Sequence, residues 1–284
     1  MGIIEFKHFS WNYSGYRTAL LKKINLNIEE GEFIGLIGNV GSGRSTLLMS
    51  VLGLIPHMFH GNFKGEVIVD GVSVKDSSIS ELSRKVGLVL QSPSTQLTGA
   101  GTNVEEELAF GLENLGVSNA EMKERVNKMI EIVGLESFRK RSPYELSGGQ
   151  QQKVAIASVL IMEPKILVMD EPTAQLDPLG TAQVFDFVNK LSKNKKMTIM
   201  LNTQKIDYLA EFADRIILMD NGRIVKTGST REILADTELL RKHKINPTVY
   251  TQLSEKLINK KMYHGELALT LSDAEIMMKK VKRK

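Results

Sequence analysis

Gly38-Asn39-Val40-Gly41-Ser42-Gly43-Arg44-Ser45-Thr46 lies between Phe33-Ile34-Gly35-Leu36-Ile37 and Leu47-Leu48-Met49-Ser50-Val51-Leu52. The apolar run before it reads as a buried strand, and the run after it as a helix. Strand, glycine loop and helix form the setting of a phosphate-binding P-loop. Glycines allow positive φ and let the backbone turn its N–H groups inward. Those groups, with the positive end of the helix, make a site for a polyphosphate. Ser45 stands where a hydroxyl ligand of Mg²⁺ is expected. Arg44 occupies the place that the pattern G-x-x-x-x-G-K-[ST] gives to lysine. A guanidinium keeps the charge but is planar, longer and forked, so the exchange is not conservative at a tight phosphate site. Read alone, the stretch also fits a glycine-rich turn that caps a helix and binds nothing.

Composition narrows the field. The 284 residues, 42% of them hydrophobic, suffice for one large α/β domain or for one domain with an appendage. No apolar run reaches the length of a membrane span; Val154 to Met162 stops at Glu163-Pro164. The start shows no signal-peptide pattern. Cysteine is absent, which removes disulfides, thiolate metal sites and thiol nucleophiles. The chain reads as soluble and cytoplasmic. A net charge of +4 is mildly basic, as ordinary surface lysines make it.

Taken in order, residues 3–9 read as a strand, and residues 22–30 alternate as a half-buried strand does. Between them, Tyr13 is placed to stack on a nucleobase or to serve as a hairpin aromatic. Gly65 to Gly71 is a strand ending in a turn. Lys85 to Leu90 is a buried strand with Gln91 at its exit, where an amide can reach a metal or a water. Asn103 caps a helix with Glu105, Glu106 and Glu107 in its first turn. Residues 119–133 are helical and closed by Gly134. Leu146-Ser147-Gly148-Gly149-Gln150 opens another helix, an N-cap or a second anion site. Ile166-Leu167-Val168-Met169 is a buried strand that delivers Asp170 and Glu171 to its C-terminal edge, where open α/β sheets bind ligands. Asp170 suits an Mg²⁺ water shell, and Glu171 suits a base acting on water. A helix is predicted near 179–192 and a strand over 198–201. Asn221-Gly222 marks a hairpin. Beyond residue 230, helical pieces at 230–242 and 248–259 precede a basic tail, Lys279 to Lys284.

This ordered set resembles the ATP-binding subunit of ABC transporters over about residues 3 to 230. It comprises the P-loop, a glutamine after a strand, LSGGQ opening a helix, an apolar strand ending Asp-Glu, and Leu176-Asp177. Residues 91–97, 102–114, 247–254 and 269–271 are similar to ATPases of energy-coupling factor (ECF) transporters. The resemblance implies an α/β fold: a P-loop ATPase with a RecA-like core, an antiparallel β subdomain, an inserted α-helical subdomain (about 92–163) and a C-terminal helical extension. It implies an ATP-binding domain over 1–230 and an extension over 231–284.

The same resemblance implies ATP and Mg²⁺ as ligands. Gly38, Asn39, Val40, Gly41, Ser42, Gly43, Arg44, Ser45 and Thr46 would hold the triphosphate and Tyr13 would face adenine. Ser45 and Gln91 would bind Mg²⁺, Asp170 through its water shell, and Glu171 would polarise the attacking water. Ser147, Gly148, Gly149 and Gln150 would reach the nucleotide on a partner's P-loop, and Asp177 would lie at the interface. Implied partners are a second ABC ATPase, a transmembrane scaffold and a substrate-capturing membrane subunit, with no nucleic acid. The implied place is peripheral, on the cytoplasmic face of the cell membrane, energising import of a vitamin or metal ion.

Two positions depart from the family pattern. Arg44 replaces lysine, and Gln204 stands where a switch histidine is expected. Both belong to this chain's own P-loop site, so an asymmetric heterodimer with a slow site here is expected. A non-catalytic or regulatory nucleotide-binding subunit and a soluble ABC ATPase acting on nucleic acid stand as alternatives.

Overall fold

The computed structural model describes residues 2–195 and 197–281. The chain runs β1 (Ile4–Tyr13), β2 (Leu21–Ile28), β3 (Phe33–Gly38), α1 (Arg44–Val51), α2 (Leu54–His57), β4 (Gly61–Val69), β5 (Val72–Ser73), α3 (Ile79–Ser83) and β6 (Val86–Val89). Three longer helices follow: α4 (Val104–Asn114), α5 (Asn119–Val133) and α6 (Gly148–Leu160). The chain then returns through β7 (Ile166–Asp170), α7 (Pro178–Lys195), β8 (Thr198–Asn202), α8 (Ile206–Phe212), β9 (Arg215–Asp220) and β10 (Arg223–Ser229). It ends in α9 (Thr230–Leu234), α10 (Thr237–Lys242), α11 (Val249–Asn259) and α12 (Leu271–Lys280).

Two sheets organise these elements. One is antiparallel in the order β2-β1-β4-β5; the other runs β10-β9-β3-β8-β7-β6. The second is parallel from β9 to β6, with β10 as an antiparallel edge. Its strands from β9 to β6 are apolar on both faces, as a covered parallel sheet demands, while β10 is an exposed edge. Side-chain alternation splits them between two cores. Ile34, Leu36, Val168 and Met200 face α1 and the antiparallel sheet. Phe33, Ile37, Leu167, Met169 and Leu201 join the core under α4 to α8.

Local chemistry explains the helices between β6 and β7. Asn103 accepts from the Glu106 N–H and caps α4 (3.1 Å), while Gly134 closes α5 in the left-handed region. Gln96 knits the loop after β6 to the subdomain. Its Oε1 accepts from Leu90 N–H (2.9 Å), and its Nε2 donates to Ala155 C=O (2.9 Å).

Several elements are longer than their sequence pattern. β1 continues to Tyr13 because β4 pairs with it as far as Tyr13↔Gly61, across an irregularity between Lys7 and Ser10 that breaks the alternation. The helical piece at 230–242 divides into α9 and α10, where Asp236 starts a new N-cap by accepting from Leu239 N–H (3.0 Å). α12 buries a narrow apolar face, Ala274 and Met277, against Tyr263 and Ala268, while Leu271, Ile276 and Met278 are exposed. Lys279 and Lys280 end it; residues 282–284 of the basic tail lie outside the described residues.

The β9–β10 turn braces the P-loop. Asn221 (φ 48°) and Gly222 (φ 74°) form the two-residue turn. Gly222 N–H donates to Ser42 C=O (3.1 Å), and its own carbonyl accepts from Lys22 N–H (2.8 Å). A Cβ on Gly222 would lie 1.7 Å from Leu20 O. Gly222→Ala therefore forces two backbone segments apart. Its expected cost exceeds about 1 kcal/mol in urea unfolding.

Candidate functional site: a phosphate cradle at the strand ends

The site grows from strand register. Leu36 of β3 lies opposite Asn202 of β8, and Asn202 opposite Asp170 of β7. The strands end together, so the P-loop, Asp170, Glu171 and Asn202 to Gln204 share one edge of the sheet. A parallel sheet thus gathers side chains distant in sequence.

The cradle itself is close-packed backbone. A Cβ on Gly38 would lie 2.3 Å from Met219 O and 2.8 Å from Ser42 Oγ. Gly43 is the N-cap of α1 in the left-handed region, offers no side-chain cap, and no acid occupies the first turn. The first N–H groups of α1 are therefore available to an anion. Ser42 Oγ is buried and has no hydrogen-bond partner among the described residues. A buried hydroxyl of that kind calls for a ligand. Thr46 is buried and Ser45 half-buried on the same turn. These features fit a bound polyphosphate. Among the described residues no group of three or more His, Cys, Asp or Glu is placed to hold a metal ion. A cation here would rest on Ser45, Gln91 and phosphate oxygens, the oxygen set that Mg²⁺ accepts.

Arg44 is 8% exposed and its Nη1 donates to Asn202 Oδ1 (2.7 Å). Asn202 Nδ2 donates in turn to Asp170 Oδ1. Burial lowers the Arg44 pKa, opposed by the negative charges of Glu171 and Asp170; the group stays cationic. Asn202 is the residue that sequence reasoning missed. An asparagine closing an apolar strand is the signal, since it must be buried with partners for both ends of its amide.

Glu171 is half-buried with φ 49°, an uncommon backbone region for this residue type. Its N–H donates to Asn202 C=O (2.8 Å), and its Oε2 accepts from Gln204 N–H (3.3 Å). Burial raises its pKa above the usual 4.5, partly offset by the Gln204 N–H and Arg44. The Gln204 side chain is exposed. The neighbouring Lys205 reaches across, donating to Thr173 C=O (2.9 Å) and Thr181 Oγ1 (2.7 Å). It ties the turn after β8 to the segment following Glu171, a second role that sequence reasoning passed over.

The other predicted residues stand on separate elements. Tyr13 OH is 3.3 Å from Thr46 Oγ1, and its ring meets Trp11 and Phe59 edge-on at 5.5 and 6.0 Å. It faces a cavity of about 780 Å³ shared with Gly41, Met49, Phe59 and Asn221. Gln91 is exposed at the exit of β6. Ser147 and Gln150 form a reciprocal capping box on α6, with Ser147 and Gly148 exposed. Among the described residues no hydrogen bond joins them to the chain's own P-loop. Asp177 is exposed and caps α7 by accepting from Gly180 N–H (2.6 Å).

Residues 21–174, from β2 through the P-loop and signature to just beyond Glu171, match the family model of the ABC transporter. The chain belongs to the ATP-binding subunits of ABC transporters, of the ECF type. An ECF transporter ATP-binding protein EcfA2 of Clostridium perfringens is 38% identical over 277 residues, covering 96% of this chain and 95% of that protein. A putative ABC transporter ATP-binding protein of Pyrococcus abyssi is 46% identical over 242 residues, covering 85% and 86% of the two. Among solved structures, cbiO1 of C. perfringens, part of the ABC transporter complex cbiONQ, superposes with a TM-score of 0.73. It is 33% identical and covers 85% of this chain and 94% of its own. A dimeric ATP-binding cassette bound to ADP and Pi gives a TM-score of 0.70 at 30% identity, covering 80% and 99%. ABC ATPases bind ATP, typically with Mg²⁺, and hydrolyse it. Among the described residues no helix is long and apolar enough to cross a membrane.

Two outcomes test this geometry. Asn202→Leu leaves the Arg44 guanidinium buried without its acceptor, so a loss of about 2–3 kcal/mol is expected in urea unfolding. Glu171 has its folded pKa raised, so the stability it contributes is present below pH 4.5 and lost as pH rises through the folded value. Glu171→Gln is therefore expected to unfold at a higher temperature than the parent at pH 8, by a margin that shrinks toward pH 4.5.

Proposed function

We propose that this chain hydrolyses ATP to drive import of a micronutrient, a vitamin or a metal ion, through an ECF-type transporter. It works as one half of an ATPase heterodimer on the cytoplasmic face of the membrane. A transmembrane scaffold and a substrate-capturing subunit complete the assembly. The observation that carries the ATPase reading is the union of an uncapped P-loop helix, the orphaned Ser42 hydroxyl and the half-buried Glu171 at one sheet edge.

In this reading the loop Gly38 to Thr46 holds the triphosphate through its backbone N–H groups and hydroxyls, with the Arg44 guanidinium turned to Asn202, and Tyr13 faces adenine from the cavity beside Thr46. Ser45 and Gln91, with Asp170 through water, would hold Mg²⁺, whose charge offsets that of the phosphates. Glu171 orients and polarises the attacking water. Its hydrogen bond from Gln204 N–H fixes the carboxylate, and its raised pKa makes it a better proton acceptor. Ser147 and Gly148 are exposed, and Ser147 to Gln150 are preorganised by the capping box, so they serve the partner's nucleotide, with Asp177 at the interface.

The P-loop on this chain is the slower of the two sites. Arg44 is committed to Asn202 inside the protein, and Gln204 brings no charge to the terminal phosphate. The same two observations favour a second reading, a subunit that binds nucleotide and regulates its partner without hydrolysis.

In the assembled complex, Glu171→Gln is expected to cut hydrolysis at this site by about 100-fold or more, while ATP binding persists. Unchanged turnover selects the regulatory reading. Because the Glu171 pKa is raised, activity at this site is expected to fall on acidification at a pH above 4.5. Arg44→Lys combined with Gln204→His is expected to raise turnover. No change in ATPase rate removes the slow-site proposal.

A further inference from the structure

Beside the P-loop lies a second, smaller cavity of about 190 Å³, lined on one side by Gly38, Asn39 and Val40 and by Gln204. Part of its wall comes from the C-terminal extension: Lys244, Ile245 and Asn246. Three contacts set that wall in place. His243 Nδ1 lies 3.1 Å from Asp220 Oδ2, at the end of the strand whose turn braces Ser42. Ile245 N–H donates to Leu240 C=O (2.9 Å), closing α10. Val249 N–H donates to Asp207 Oδ1 on α8 (3.4 Å).

Lys244 closes α10 in the left-handed region, with φ 57°. Helices usually place glycine or asparagine there, because a Cβ is strained. The charged side chains on the cavity are Arg44 and Lys244, and no carboxylate lines it. Arg44 is buried against Asn202, whereas Lys244 is exposed. Among the described residues the Lys244 ammonium has no hydrogen bond or ion pair.

We propose that Lys244 binds the terminal phosphate of the nucleotide held by this chain's own P-loop. It brings from the C-terminal extension the cationic contact that Gln204 lacks and Arg44, turned inward, does not make. This rests on the reading that the P-loop holds ATP. The contact makes the extension part of the nucleotide site: the helices after β10 sense whether the third phosphate is present.

The test uses the purified full chain, Lys244→Gly and Lys244→Arg, titrated calorimetrically with ATPγS and with ADP, each with Mg²⁺. Glycine suits the left-handed turn, so this variant is expected to unfold at or above the parent's temperature while lacking the ammonium. Its affinity for ATPγS is expected to fall about tenfold, the loss of one charge-assisted hydrogen bond. Its affinity for ADP should stay within about twofold, and Lys244→Arg should keep the preference for ATPγS. If Lys244→Gly binds ATPγS as the parent does, or loses both nucleotides equally, the proposal is overturned. If the parent chain binds neither nucleotide, the P-loop reading falls and takes this one with it.

Discussion

Everything at this site depends on where three parallel strands stop. β3, β8 and β7 are in register, with Leu36, Asn202 and Asp170 side by side. Hydrogen-bonded strands cannot shift singly, so the phosphate cradle and the carboxylates hold their spacing without direct contact. The link Arg44–Asn202–Asp170 then ties the first turn of α1 to the ends of β8 and β7. A slip of one residue in β8 would turn Asn202 to the opposite face of the sheet and leave the guanidinium without its acceptor.

The same edge concentrates unfavourable features. Glu171 is half-buried in a left-handed conformation, Ser42 keeps an unsatisfied hydroxyl, and Gly38 packs against the carbonyl of Met219. The surrounding sheet is apolar on both faces and buries Ile34, Leu36, Val168 and Leu201 completely. Strain at the edge is tolerated because the strands beneath it are fixed by that burial. The site is rigid where chemistry needs spacing and incomplete where a ligand belongs.

Much of this was legible in the residues. Apolar strands flanked by glycine, the Asn103 and Ser147 caps, the Gly134 stop and the Asn221-Gly222 turn each announce themselves locally, and each stands where its chemistry places it. What stayed hidden is non-local. The extension of β1 through Trp11 and Tyr13 depends on pairing with β4 some fifty residues later. Asn202, Lys205 and Lys244 carry no motif. Their importance comes from what lies across the sheet edge: Arg44 for the first, Thr173 and Thr181 for the second, the P-loop for the third. α12 escaped because its apolar residues Leu271, Ile276 and Met278 are exposed and do not mark the face that it buries, Ala274 and Met277.

Trp11 is the chain's single tryptophan, fully buried, with its ring edge-on to Tyr13 at 5.5 Å. Tyr13 is in turn joined to Thr46 on the first helix of the cradle. An indole in that position is a built-in optical gauge. Its emission is insulated from solvent and sensitive to the ring beside it, so rearrangement of the P-loop edge is visible without any attached label.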